Sequence, residues 1–277
     1  MTLPDFSAIP LPEVLLASLR QQGCFLLREI LPLPLLQLAK AELEALYLEA
    51  DQAWQNGEMS QAAYHKLFQY GHLPFEEGLL PLSQNPAMEA DLYTCLLGIP
   101  SLQPFLSVIF GSSLFLIDKN SQPRRQHPFW PERQIPFHQD AEFLGGRPAL
   151  NFWIPLDPCG RNAPGLELWL KPQQRVWFEL NLDPLTPLYQ QRDVSALQAQ
   201  ASREQFWQPE MEPGDLLVFD SFLFHRTWLT ESMFEPRYSL EIRLTHPAYG
   251  PGLKGREWVL RSAAQASGAG QNGSPLD

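Results

Sequence analysis

The feature that most constrains the fold is an alternation in two stretches, residues 149–156 and 237–244, where every second residue is large and apolar. Successive side chains of a β-strand point to opposite faces, so each stretch predicts a strand with one apolar face. The opposite face is polar in 237–244 and carries Asn151 and Trp153 in 149–156. The apolar faces hold Leu150, Phe152, Ile154 and Leu156 in the first strand, and Tyr238, Leu240, Ile242 and Leu244 in the second. A sheet of such strands needs a cover over its apolar face, while its polar face suits the wall of a ligand cavity.

The N-terminal part of the chain can supply that cover, because its apolar residues recur mostly at helical spacing. The predicted helices are residues 11–22, 35–55, 60–69, 86–97 and 101–110. Strand-like runs follow at 113–118, 135–141, 149–156, 165–170, 215–219 and 237–244. The Pro- and Arg-rich stretch 119–134 is expected to form a loop, and a helix is expected at 195–206 within a polar insertion.

This order of elements predicts an α+β chain with a mainly β core. Strands without intervening helices favour an antiparallel double sheet, a double-stranded β-helix (jelly roll, cupin-like), with the N-terminal helices packed on its major sheet. We expect one domain over residues 1–262, with a helical part at 1–112 and the jelly-roll core at 113–262. The Ala-, Gly-, Ser- and Gln-rich tail, residues 263–277, is expected to be disordered.

Composition excludes several classes of partner. The formal net charge is −11, which is unsuited to binding a phosphate backbone, so no nucleic-acid partner is expected. The chain starts without a signal-peptide pattern and has no apolar run near the roughly 20 residues that span a bilayer. The three cysteines have no metal-ligand spacing and are expected to be reduced thiols. We therefore expect a cytoplasmic monomer or homodimer without a membrane partner.

A candidate metal site lies in the run from Ile135 to Ala141. In an extended segment His138 and Asp140 point to the same side, so an imidazole and a carboxylate can bind one ion together. A second histidine, His225, follows the strand-like run 214–220. Two His and one carboxylate on one face of an ion, with the other positions open, are typical of non-haem Fe(II) oxygenases.

Several stretches around these residues resemble the phytanoyl-CoA dioxygenase family in their order along the chain. They are residues 137–140, 150–157, 162–166 and 214–219, followed by His225 and residues 237–240. The resemblance implies a jelly-roll oxygenase that binds Fe(II) through His138, Asp140 and His225 and uses 2-oxoglutarate and O2 as cosubstrates. Such an enzyme hydroxylates or otherwise oxidises a small-molecule metabolite and releases succinate and CO2.

The resemblance also assigns cosubstrate residues. Arg237 matches the basic residue that pairs with the far carboxylate of 2-oxoglutarate, and a guanidinium fork suits a planar carboxylate. Thr227 matches a hydroxyl that helps to hold the same carboxylate, and Trp153 matches an aromatic wall of the pocket. Lys119 and Gln122 lie where relatives place polar side chains that contact cosubstrate or substrate.

Other interpretations of the same residues stay open at this point. Trp153 also fits a plain core residue, and Arg243 is a rival to Arg237 on the same strand face. Lys119 and Gln122 also fit a solvated loop. The basic cluster of Arg124, Arg125, Arg133 and His127 fits either the steering of an anionic substrate or ordinary surface charge.

Alternative functions also remain. The triad with Zn or Mn would suit a cupin-type hydrolase or isomerase, and a degenerate jelly roll would bind a metal or ligand without catalysis. The polar inner face favours a polar substrate. Iron halogenases of this fold lack the ligand carboxylate, so the presence of Asp140 favours hydroxylation or a related oxidation. The family's Gly-Ser-His turn is absent, because the chain has Lys171-Pro172-Gln173-Gln174 after the strand at 165–170.

Overall fold

The computed structural model describes residues 2–70, 82–83, 85–129, 135–177 and 205–260. The helices are α1 Pro12–Gln22, α2 Leu33–Gln55, α3 Gln61–Tyr70, α4 Pro86–Leu97 and α5 Gln103–Phe110. The strands are β1 Asp5–Phe6, β2 Cys24–Leu27, β3 Ser113–Leu116, β4 Gln122–Gln126, β5 Leu150–Pro155, β6 Gly165–Trp169, β7 Phe206–Trp207, β8 Leu216–Asp220, β9 His225–Trp228, β10 Arg237–Thr245 and β11 Arg256–Val259. Short 3-10 turns occur at Asp118–Asn120, Asp140–Glu142 and Pro247–Tyr249.

Two sheets form the core. The larger has eight strands in the order β1-β2-β8-β5-β10-β3-β11, with β4 also paired to β10. The smaller has the order β7-β6-β9. Nearly all pairs are antiparallel, and β1 with β2 is a parallel exception. This is the α+β, mainly β jelly roll that the alternating strands predict.

The apolar faces of β5 and β10 lie on the helical side of the large sheet. Their register places Leu240 opposite Ile154 and Ile242 opposite Phe152. These side chains belong to one buried cluster with residues of α1, α2, α4 and α5. The predicted cover of helices over the major sheet is therefore confirmed, and burial of this apolar surface is the main favourable term in folding.

The inner faces of the two sheets divide into an apolar half and a polar half. Trp153, Leu168, Leu217 and Phe219 form part of an apolar cluster between the sheets. Two of the three free cysteines, Cys24 and Cys159, are buried in that cluster, and Cys95 is only partly buried. The remaining inner surface carries charged and polar side chains.

Two secondary-structure predictions, for residues 119–134 and 195–206, are wrong. The expected loop at 119–134 contains β4, which pairs with β10 from Gln122 to Gln126. Its Pro123 is tolerated because β4 pairs with β10 alone and needs no donor on its other edge. The helix expected at 195–206 does not extend to Phe206, because Phe206 lies in β7 and pairs with Trp169 of β6. Residues 195–204 and the predicted tail from 263 lie outside the described residues.

The turn before β2 is fixed by a glycine. Gly23 ends α1 with φ 78°, a left-handed conformation that side chains disfavour. A Cβ there would also lie 2.6 Å from Leu223 Cδ1, so the close approach of this turn to the β8–β9 connection requires glycine. Among the described helices none combines the length and apolar character needed to cross a bilayer.

Candidate metal centre

The two histidines are held together by the backbone of an antiparallel ladder. His138 N donates to His225 O at 3.0 Å, and His225 N donates to His138 O at 3.1 Å. Thr227 N continues the ladder by donating to Ile135 O at 3.0 Å. Residues that exchange both bonds face each other directly, and the two imidazole centroids are 4.2 Å apart. The strand predicted at 135–141 is therefore present only as this bridge between His138 and His225, because a 3-10 turn starts at Asp140.

Asp140 reaches the same point because the residue before it is extended. Gln139 has φ −121° and ψ 126°, so its side chain turns away from those of His138 and Asp140. Its amide donates to Phe222 O at 2.7 Å and to Arg175 O at 3.1 Å, and its oxygen accepts from Trp177 N at 2.9 Å. These bonds fix the segment from the opposite side. The 3-10 turn that starts at Asp140 then leads the chain away.

The ligand atoms of the three residues converge. Asp140 Oδ1 lies 3.3 Å from His138 Nε2 and 3.7 Å from His225 Nε2. One ligand atom from each residue lies within 4.8 Å of the other two, and all three side chains are buried. The fold therefore brings His225 to the pair of His138 and Asp140, as the sequence predicts.

Hydrogen bonds orient both imidazoles. His138 Nδ1 is 2.9 Å from Pro136 O, and His225 Nδ1 is 3.0 Å from Leu223 O. A carbonyl oxygen only accepts, so each Nδ1 donates in its bond and each Nε2 is the ring nitrogen directed to the centre. Burial, together with the charge of His138, lowers the pKa of His225 to about 4, so that its imidazole is neutral near pH 7.

Arg243 holds the carboxylate. Its Nε and Nη2 lie 2.9 Å and 2.8 Å from the same oxygen, Asp140 Oδ2, and its Nη2 also lies 2.9 Å from Glu241 Oε2. Burial opposes the charge of Asp140, but Arg243 and the two histidines outweigh it and hold the pKa of Asp140 well below its usual range. Arg243 and Glu241 therefore pair with each other inside the barrel.

Arg237 occupies the other end of the polar inner face. Its Nε donates to Pro164 O at 3.0 Å and its Nη1 donates to Ser239 Oγ. The guanidinium lies 4.8 Å from the centroid of the Trp153 ring. Within the described part of the chain no carboxylate forms an ion pair with Arg237, and burial lowers its pKa. It is the cavity guanidinium with capacity for an incoming carboxylate, whereas its rival Arg243 is already engaged.

The remaining predicted site residues differ in position. Thr227 lines the same small cavity as the triad and Arg237, with its Oγ1 accepting from Ile135 N at 3.4 Å. Trp153 is 1% exposed and lies in the apolar cluster behind Arg237. Lys119 is exposed and Gln122 is buried against Arg124, and neither lines the cavity. Their roles in binding stay predictions.

Residues of β4 line the cavity although the sequence was interpreted as a loop there. Arg124 and Gln126 face inward, and Arg124 Nε is 3.3 Å from Glu241 Oε2. Arg125 faces outward and binds Asp51 with two bonds of 2.8 Å and 2.7 Å. Both arginines are 7% exposed, which contradicts the interpretation of these two as surface charge. The sequence Gln122–Gln126 has no apolar–polar alternation, so no local pattern indicated this strand or its faces.

Asn151 was visible in the sequence as a polar residue on the inner face of β5. It is 1% exposed, and both polar atoms of its amide are without a hydrogen-bond partner in the described structure. The indole Nε1 of Trp153, on the same face of β5, is likewise without one. Buried polar atoms are normally satisfied, so this part of the interior is suited to polar groups from a ligand or water.

A larger cavity, of about 550 Å³, lies elsewhere, where α1 and α5 meet the start of β5. Its walls include Leu19, Phe110, Leu150 and Asp220. It contains none of the three converging ligand residues. The smaller cavity is the candidate site because its donor set, rather than its size, is specialised.

Comparison with known proteins is consistent with this geometry. Residues 115–231 match the phytanoyl-CoA dioxygenase (PhyH) family. No curated protein sequence matches the chain. Among solved structures, AviO1 from Streptomyces viridochromogenes Tue57 is 17% identical, with a TM-score of 0.55 over 88% of this chain and 98% of that one. The non-heme monooxygenase ThoJ in its nickel complex is 14% identical, with a TM-score of 0.50 over 89% of this chain and 80% of that one. These likenesses show the shared fold.

Proposed function

Because this chain carries a phytanoyl-CoA dioxygenase (PhyH) family domain at residues 115–231, we propose that it is an Fe(II)/2-oxoglutarate-dependent oxygenase that hydroxylates, or otherwise oxidises, a small polar molecule. The family assignment supports an oxygenase in general. The cosubstrate and the hydroxylation are the further steps of the proposal, and they rest on the residues of the cavity.

The observation that carries the proposal is one oxygen atom. Asp140 Oδ1 is buried and has no hydrogen-bond partner in the described structure, although a buried carboxylate oxygen normally has one. It lies 3.3 Å from His138 Nε2 and 3.7 Å from His225 Nε2, so the three ligand atoms face one point. Three such ligands on one side of a point fit Fe(II) in a two-His-one-carboxylate site. The residues present therefore suit the ion that the family uses.

The other residues of the cavity fit a dicarboxylate cosubstrate beside that ion. Arg237 offers a buried guanidinium without an ion-pair partner in the described part of the chain, and Thr227 offers a hydroxyl on the neighbouring strand. The Trp153 ring packs against the Arg237 guanidinium in a cation–π contact. A hydrolase or isomerase with Zn or Mn has no need of this carboxylate anchor.

When bound, iron and 2-oxoglutarate supply the oxidation of a C–H bond by O2, with release of succinate and CO2. The chain's own side chains have simpler tasks. His138, Asp140 and His225 would hold the metal ion at one point, and Arg237 would align the cosubstrate through its far carboxylate. The apolar cluster between the sheets keeps water from one side of the cavity.

The test is anaerobic addition of Fe(II) and 2-oxoglutarate to the purified protein. We expect a visible metal-to-ligand charge-transfer band, its loss in His138→Ala, and a weaker band at equal cosubstrate concentration in Arg237→Ala. His246→Ala is the matched histidine control, because His246 is exposed and outside the triad. Arg256→Ala is the matched arginine control on the exposed edge of the same sheet.

Substrates are then sought by measuring succinate release above the uncoupled background, beginning with small polar compounds. Well-folded, metal-loaded protein that develops no band with 2-oxoglutarate would contradict the cosubstrate assignment. A band of equal strength in His138→Ala would contradict the ligand assignment.

A further inference from the structure

We propose that Arg243 is a positioning residue that leaves one oxygen of Asp140, Oδ1, available to the metal. The inference rests on the proposed function, since it concerns how the carboxylate ligand of that site is oriented. It assigns to Arg243 a role separate from cosubstrate binding. It also explains why a second arginine is buried on the same strand face as Arg237.

The first argument is the way in which the guanidinium grips the carboxylate. A guanidinium usually pairs with both oxygens of a carboxylate in a fork-to-fork arrangement. Here Nε and Nη2 both lie on Oδ2, at 2.9 Å and 2.8 Å, and none of the described donors binds Oδ1. Two nitrogens of Arg243 are thus directed at Oδ2 rather than at Oδ1, the oxygen beside the histidines. Oδ1 is left as the single ligand atom.

The second argument is that Arg243 is itself fixed. Its backbone N donates to Ser121 Oγ at 2.9 Å, its Nη1 donates to Asn120 O, and its Nη2 pairs with Glu241. Its guanidinium lies 5.2 Å from the centroid of the Phe143 ring. The residue is 3% exposed. A side chain held from several directions transmits its own orientation to Asp140, which is how outer residues orient metal ligands.

The third argument concerns open positions at the metal. A carboxylate that binds through both oxygens occupies two positions, whereas one that binds through Oδ1 alone occupies one. At a six-coordinate ion, two histidines and a single carboxylate oxygen would leave three positions free, as a dicarboxylate cosubstrate and O2 would require. Loss of the Arg243 contacts frees Oδ2 to compete for one of them. Glu241 then serves to hold Arg243, with Arg124 as its second partner.

The experiment uses Co(II) as the probe, since its visible absorption reports the number and geometry of the ligands independently of turnover. Arg243→Met keeps the length of the stem and removes all five donors. We expect Co(II) affinity to fall by about 10- to 100-fold, the range for lost outer-shell partners, and the absorption band to change shape. Arg243→Lys retains a charge but not the two-nitrogen grip, so we expect a smaller loss of affinity and a changed band.

Arg256→Met, which removes an exposed guanidinium from β11 at the end of the same sheet, is the control and should match the unmodified protein. Thermal melting of each variant separates site effects from folding. If Arg243→Met does not fold, Arg243→Lys carries the test. A folded Arg243 variant with unchanged Co(II) affinity and spectrum overturns this inference and leaves the proposed function intact. Unmodified protein that binds Co(II) no more tightly than His138→Ala overturns both.

Discussion

Asp220 predicts a measurable pH dependence of stability. It ends β8 and lines the cavity between the helices and the large sheet, away from the metal centre. Burial raises the pKa of its carboxyl from 3.8 to about 6, and only the hydrogen bond from Phe222 N, at 2.7 Å, opposes that effect. The folded protein therefore binds this proton more tightly than the unfolded chain. Stability from this group is present at low pH and is lost as the pH rises through about 6.

The substitution Asp220→Asn removes the charge and keeps an oxygen that accepts from Phe222 N. Each pKa unit corresponds to about 1.4 kcal/mol, so the gap between the two pKa values gives about 3 kcal/mol as an upper figure at pH 7 to 8. The side chain keeps some contact with solvent, which screens part of this effect. We expect D220N to be more stable than the unmodified protein by about 1 to 3 kcal/mol at pH 8, and nearly equal to it at pH 4.

The assay is urea denaturation followed by tryptophan fluorescence at intervals from pH 4 to pH 8. Asp91→Asn is the matched control, because Asp91 is exposed on α4, and its difference from the unmodified protein should be small at every pH. A D220N difference that is independent of pH, or that grows towards low pH, would refute the reasoning. The first result would mean that the carboxyl keeps its ordinary pKa, and the second that the folded state stabilises the charged form.

Substitutions at three further positions test the scaffold by the same urea assay at pH 7.5. Phe152→Ala should destabilise the protein by about 3 to 5 kcal/mol, because the ring is 0% exposed between the large sheet and the helices; a loss below about 1 kcal/mol would contradict that packing. Asp51→Asn should cost about 2 kcal/mol, since it leaves buried Arg125 without the charge it binds, and no loss would contradict the pairing. Asp215→Ala should cost about 3 kcal/mol, because its carboxylate accepts from two backbone N–H groups and an arginine, while Asp215→Asn should recover part of the loss.

The fold was predictable where one local rule applied over a whole element. Alternation in β5 and β10 identified both faces, because a strand buried against helices on one side and a polar cavity on the other must alternate. β4 lacks this alternation, and its Pro and two Arg are typical of a loop. Arg125 is buried against Asp51 and Tyr47 of α2, a helix far away in the sequence, and no local pattern reveals such contacts.

The site divides in the same way between local and non-local causes. The pairing of His138 with Asp140 follows from the extended backbone of Gln139, which a sequence can indicate. The place of His225 follows from a backbone pair between two segments far apart in the chain, which only the topology of the small sheet determines.

The division of labour between the two buried arginines is the least predictable feature. Arg237 and Arg243 lie on the same face of the same strand, and the sequence alone makes them rivals for one role. What separates them is the approach of Asp140 to Arg243 from the turn after His138, and of Pro164 O to Arg237 from the start of β6. Pro164 O is an uncharged acceptor and leaves Arg237 without an ion pair among the described residues, whereas the carboxylate of Asp140 pairs with Arg243. Under the proposed function, the partners brought by other elements, rather than the position along β10, therefore determine which arginine is available to a cosubstrate.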